Sequence, residues 1–260
     1  MIISEYRKKL EAYRGRTAIG ADFREFWRQK MTKAPESVTL EPVPFVNPMA
    51  VYENLTLSMG DFSIRARVIR PSRAGRHPLV LMFHDLHREI RGWHHMTRFI
   101  AQGCGVVALD APVNKADWQK APESVGFEDY IRDALILAEF ARKMPWVDGE
   151  KIVTWGEGLG GGLAIAAASF IPGSRCCALN PLPADVESLP CCDIAAFAPH
   201  VTGQVLLGVC LMDTVAPPEG QYAIYNRLTC EKQIKVYPKY VHERVNFFEN
   251  EMLSFLRSLF

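Results

Sequence analysis

The chain has 260 residues, 48% of them apolar, enough to bury a large core and without any compositional sign of disorder. Lysine plus arginine (30) nearly cancels aspartate plus glutamate (29), so no broad electrostatic field exists to draw in nucleic acid or an anionic membrane. A small neutral ligand or a protein partner is the expectation.

Residues 1–16 alternate charged and apolar side chains and contain no uninterrupted apolar stretch of the kind found in secretory signals, so a cytoplasmic location is expected. Helical spacing follows over 5–14 and 22–31, with Phe23, Phe26 and Trp27 forming an apolar stripe behind an Asp22 cap. The proline-rich stretch 35–48 predicts an extended surface connector. Alternation over 50–57 and 63–69 predicts an antiparallel hairpin at an edge of the sheet.

From His77 onward, short apolar strands alternate with helical stretches, the pattern of a mostly parallel sheet covered on both faces. Strands are predicted at 79–83, 105–109, 151–154, 176–179, 205–210 and 233–237, and helices at about 92–102, 127–143, 159–170, 218–228 and 245–259. The longest apolar stretch, 159–171, contains glycines and falls short of the roughly 20 residues needed to span a bilayer, so it reads as a buried helix. Neither a repeat nor a glycine-serine linker divides the chain. The expected class is therefore α/β, one domain over 1–260, with residues 1–60 as an arm and edge strand packed on the core. The seven cysteines are odd in number, and Cys176-Cys177 and Cys191-Cys192 are vicinal, so reduced, buried thiols are expected.

Ligands of such sheets bind beyond the carboxyl ends of the strands. After the strand at 151–154 stands Trp155-Gly156-Glu157-Gly158-Leu159-Gly160-Gly161-Gly162, then an apolar helix. This is the layout of a nucleophile elbow, G-x-S-x-G, with Gly158 at the nucleophile position. A phosphate loop would need lysine and serine or threonine where Leu163-Ala164 stand. A dinucleotide fingerprint fits Gly156, Gly158 and Gly161, but the next strand ends in Asn180-Pro181 and not in a ribose-binding acid. Asp213 and His242 follow the strands at 205–210 and 233–237, in the nucleophile-acid-histidine order of an α/β-hydrolase. Spacing alone leaves open that Asp213 caps the helix near Pro218 and that His242 is an ordinary loop residue.

Leu211-Met212-Asp213-Thr214-Val215-Ala216-Pro217-Pro218, then Tyr222-Ala223-Ile224-Tyr225-Asn226, Val236-Tyr237-Pro238 and His242-Glu243, resemble the acid and histidine region of the acetyl xylan esterase and cephalosporin C deacetylase family. Asp22-Phe23-Arg24-Glu25-Phe26-Trp27 and His77 to His84 are similar to the family's opening segments. Asp133-Ala134-Leu135, Pro145-Trp146-Val147-Asp148 and 156–162 resemble its elbow region, so nearly the whole chain is covered. The resemblance implies an α/β-hydrolase fold and a serine esterase that removes acetyl groups from sugars or small esters without metal or organic cofactor. It casts Asp213 and His242 as triad acid and base, Gly158 in the serine's place, and the backbone amides of Leu159 and Leu86 as the oxyanion hole.

Several features depart from that family. Gly158 has no side-chain nucleophile, which closes the two-step acyl-enzyme route. Glycine would also relieve strain of about 1–3 kcal/mol that an elbow residue normally carries. The family's His-Gly-Tyr is replaced by His84-Asp85-Leu86, and its Arg-Gly-Gln by Asp110-Ala111-Pro112. Residues 113–126 and 181–200 look shorter than their counterparts, which shape pocket and subunit contacts in relatives, so a homo-oligomer is left open.

Glu157, adjacent to Gly158, is a candidate base for a water held by His242, although neighbouring residues of a turn point in different directions. His84, His87, His94 and His95 with Asp85 suggest a metal site, against which surface or capping histidines are the expected reading. Three functions are carried forward: a non-catalytic family member, a hydrolase in which Asp213 and His242 activate water directly, and a binding or assembly subunit.

Overall fold

The computed structural model describes residues 3–86, 92–110 and 126–257. Nine strands form one sheet: β1 Ser37–Pro42, β2 Ala50–Ser58, β3 Ser63–Pro71, β4 His77–Phe83, β5 Gly105–Leu109, β6 Val147–Glu157, β7 Arg175–Leu179, β8 Val205–Cys210 and β9 Lys232–Tyr237. Their order is β1-β2-β3-β5-β4-β6-β7-β8-β9, antiparallel from β1 to β5 and parallel from β5 to β9. The fold is therefore α/β with a large central sheet flanked by helices, as the strand-helix rhythm implies.

Apolar strands buried on both faces demand two cores, and both are present. Leu79, Leu81 and Phe83 of β4 face one core, which also takes α4 Phe127–Ala141, α5 Leu159–Phe170, α6 Ile194–Phe197 and α7 Pro218–Arg227. Val80 and Met82 point the other way, to a core closed by α3 Trp93–Ile100 and α8 Asn246–Arg257. The helices α1 Ile3–Ala12 and α2 Phe23–Lys30 lie on the first side. There Trp27 is fully buried and donates its indole N–H to the Cys191 carbonyl at 3.0 Å. The Asn226 side chain ties α7 to the carbonyls of Leu10 and Tyr13 at 2.8 and 2.7 Å.

Four expectations need correcting. The hairpin of β2 and β3 is not outermost, because β1 pairs outside it within the stretch expected to be an irregular connector. All six β1 residues are exposed, so no buried face marks the strand in the sequence, and its Pro42 sits at the strand end where a missing donor costs little. The strand β6 is longer than 151–154, since its polar beginning, Asp148-Gly149-Glu150, conceals it. Asp22 occupies the N-cap position of α2 but makes no side-chain capping bond. The four-residue α6, capped by Asp193 accepting from the Ala195 N–H at 2.9 Å, is too short to show periodicity.

Among the described residues, no helix is long and apolar enough to cross a membrane.

Candidate functional site

Strands β4 and β6 are neighbours, and the chain leaves them toward opposite faces, to α3 after β4 and to α5 after β6. Divergence of this kind opens a crevice at the carboxyl ends of the two strands. His84-Asp85-Leu86 follows β4 and Gly158-Leu159 follows β6, and the two loops meet there through the Leu159 N–H and the Asp85 carboxylate.

Gly158 makes the turn from β6 into α5 with φ +56° and ψ −123°, a conformation that L side chains rarely adopt. Its N–H donates to the Leu179 carbonyl at 2.8 Å, and its carbonyl accepts from Gly162 at 3.1 Å. Gly160 serves close approach: a Cβ there would lie 2.3 Å from the Phe83 carbonyl oxygen, so only a bare Cα lets α5 settle against the end of β4.

The space in front of Gly158 is filled by the carboxylate of Asp85. A Cβ built on Gly158 would lie 1.7 Å from Oδ1 and 2.1 Å from Cγ of that residue. Oδ1 accepts hydrogen bonds from the backbone N–H groups of Leu86 at 2.7 Å and Leu159 at 2.9 Å. The second of these donors belongs to the first turn of α5, where helix N–H groups lack internal partners and negative charge is favoured. Oδ2 lies 2.9 Å from Nε2 of His242. The carboxylate thus has three donors converging on it, although its side chain is only 6% exposed.

His242 is held from its other side as well, with Nδ1 2.7 Å from Oδ2 of Asp213. Oδ1 of Asp213 accepts from the N–H groups of Val215 and Ala216, both at 2.8 Å, which fixes this carboxylate beyond β8. Burial by itself would lower the pKa of His242, but hydrogen bonds to Asp213 and Asp85 and the charges of both push it up to about 9. At neutral pH the ring is therefore an imidazolium that donates to two carboxylates. The loop carrying it is clipped two residues later, where Arg244 meets Glu249 of α8 at 2.6 and 2.7 Å and Arg98 of α3 adds a third contact at 2.6 Å. Burial raises the Glu249 pKa, but the hydrogen bond from Arg244 and the charge of Arg98 overcome it and bring the group down to about 2.

The structure thus brings together Gly158, Asp213, His242 and the amides of Leu86 and Leu159. Glu157 is buried, and its charge reaches Arg244, whose pKa is raised first by its hydrogen bond to Glu249. His84 is buried rather than on the surface, its Nδ1 3.1 Å from the Asp85 carbonyl oxygen. The rings of His94 and His95 lie 4.2 Å apart, tilted by 39° to each other, at the start of α3, and His87 lies outside the described residues. Among the described residues no group of three or more His, Cys, Asp or Glu is arranged to hold a metal ion. Cys176 and Cys177 are fully buried in β7, and burial pushes the Cys176 thiol up to about 12.

Asp85 is the residue that sequence reasoning passed over, noticed only as part of a histidine-rich stretch and of an altered His-Gly-Tyr motif. A signal was present. An acid appears where the resembling family has glycine, and a glycine appears where it has serine, so side-chain volume is exchanged between two loops.

The Acetyl xylan esterase (AXE1) family pattern matches this chain over residues 3–125, 119–181 and 184–259. Among solved structures, acetyl xylan esterase 1 from a Thermoanaerobacterium species is 25% identical, with 97% of this chain and 98% of that one covered at a TM-score of 0.87. An acetyl xylan esterase from a Paenibacillus species shares the fold at 18% identity, covering 99% of each chain with a TM-score of 0.85. A cold-adapted esterase from an Arctic intertidal metagenomic library is similar in fold over 82% of this chain and 96% of its own, at 16% identity and a TM-score of 0.66.

Proposed function

The chain belongs to the acetyl xylan esterase family, and on that premise we infer that it is a member in which deacetylation has been shut off at the nucleophile and at the oxyanion hole together. Deacetylation by a serine route requires a hydroxyl at the elbow and two free N–H groups for the developing oxyanion. Gly158 supplies no hydroxyl, and the Leu86 and Leu159 amides are engaged by Oδ1 of Asp85.

The observation that carries this reading is the 1.7 Å separation between a Cβ at position 158 and Oδ1 of Asp85. The acid holds the volume that a nucleophilic side chain would need. Direct activation of water by Asp213 and His242 finds no support, because Nε2 already bonds to Asp85 and a group with a pKa of about 9 holds its proton at neutral pH.

Hydrolysis of p-nitrophenyl acetate and of an acetylated xylo-oligosaccharide tests the reading in four proteins. Wild type and Gly158→Ser are expected at background, the latter because Asp85 still obstructs the serine. Asp85→Gly combined with Gly158→Ser is expected to gain turnover, and His242→Ala in that background to lose it. Wild-type turnover that disappears on His242→Ala would overturn the proposal.

A further inference from the structure

The groups around Asp85 are arranged for a different reaction from acyl transfer. The two amides that would polarise a substrate carbonyl are occupied by Oδ1, so attack on an ester carbonyl receives no help from them. Consider instead an electrophile with a saturated carbon. If Oδ2 becomes alkylated, Oδ1 becomes the carbonyl oxygen of an ester that already lies on two N–H donors, beside a histidine oriented by a second acid.

We propose that Asp85 is a carboxylate nucleophile for the hydrolysis of epoxides, with His242 acting first as acid and then as base; the proposal rests on the reading that Asp85 occupies the oxyanion hole. In the first step a lone pair on Oδ2 attacks a ring carbon and the carbon–oxygen bond of the ring breaks. The released electron pair stays on the ring oxygen, which takes the Nε2 proton of the imidazolium. The products are a neutral hydroxyalkyl ester of Asp85 and a neutral imidazole.

Alkylation removes one of the two negative charges facing His242, leaving Asp213 alone to hold up its pKa. The ring becomes a competent base at the point where a base is needed. It takes a proton from water, hydroxide adds to Cγ of Asp85, and the charge that forms on Oδ1 is met by the Leu86 and Leu159 N–H groups. Collapse breaks the bond to the alkyl oxygen, and the hydroxyl proton brought by the water passes to that oxygen. The diol leaves, and the Asp85 carboxylate and His242 imidazolium are restored, with one water consumed and no redox change.

Two features favour this use of the acid over a purely structural one. A side chain at position 158 would exclude the carboxylate, so the bare Cα makes room for it. Asp213 also keeps the acid-to-imidazole contact at 2.7 Å, which a simple plug of the hole would not require.

The test uses the full chain with styrene oxide and 1,2-epoxyhexane at pH 7. Diol should form above the spontaneous rate and fall by about 100-fold or more in Asp85→Asn and in His242→Ala. A single turnover of the wild-type protein in H₂¹⁸O should place label in the peptide containing Asp85 and unlabelled oxygen in the diol, a result that does not depend on any variant folding. Absence of diol above background, equal rates in Asp85→Asn, or label entering the diol directly would each overturn the proposal. Acetyl ester hydrolysis by the Asp85→Gly, Gly158→Ser double variant reports separately on the shut esterase site, so failure of the nucleophile proposal is distinguishable from failure of the reading it rests on.

Discussion

Asp85 and Gly158 divide one volume between them: the carboxylate of the first stands where any side chain of the second would begin, at 1.7 Å from its Cβ. The two positions lie on the loops after β4 and β6 and are far apart in sequence, yet a side chain can be added at 158 only if the Asp85 carboxylate gives way.

Stability should therefore couple the two sites. Gly158→Ala puts a Cβ at φ +56° and into the Asp85 carboxylate, and is expected to cost about 3 kcal/mol from backbone strain and overpacking. In an Asp85→Gly background the clash disappears and only the strain remains. Urea denaturation of the four proteins should give a double variant more stable than the sum of its singles by at least about 1 kcal/mol. Simple additivity would show that the carboxylate does not occupy that space.

His242 should titrate far above an ordinary histidine. Its ring signals in NMR are expected to move with a midpoint near 9, and to do so at lower pH in Asp85→Asn, which removes one of the two facing charges. Because the folded-state pKa is raised from 6.5, the associated stability is fully present below about 6.5 and is lost as pH rises through about 9. That contribution is on the order of 3 kcal/mol. A wild-type midpoint near 6.5 would contradict the paired-carboxylate geometry.

Removing Asp213 should loosen the segment between β8 and α7. Asp213→Ala removes the acceptor of the half-buried Val215 N–H and strands the buried Ala216 N–H, the latter costing about 1–3 kcal/mol. Hydrogen exchange at those two amides should accelerate. Unchanged protection there would mean that the acid does not organise the loop.

The clip formed by Arg98, Arg244 and Glu249 should govern acid stability rather than alkaline stability. The Glu249 pKa is depressed from 4.5 to about 2, so its contribution is complete above about 4.5 and disappears as pH falls through about 2. Glu249→Ala leaves two arginines without their shared acceptor and is expected to cost about 3 kcal/mol at pH 7, measured by denaturation. A loss of similar size at pH 2 would be inconsistent with the shift.

Much of the architecture was present in the order of residues alone. Apolar runs of strand length alternating with helical spacing from His77 onward led to a parallel sheet covered on both faces, because a strand buried on two sides must be apolar throughout. Glycines around position 158, with Asp213 and His242 after later strands, pointed to the end of the sheet where the site lies. The exposed strand β1 was hidden, since it has no buried face to imprint a pattern.

What tertiary structure alone decided is the state of the site. Apart from standing where the resembling family has glycine, Asp85 looks like any other loop acid, and its role appears only when β4 and β6 pair side by side and bring it against Gly158, Leu159 and His242. A sequence records which side chains are present, whereas the occupancy of a shared volume, and the pKa of an imidazole between two acids, are set by distances that exist only after folding.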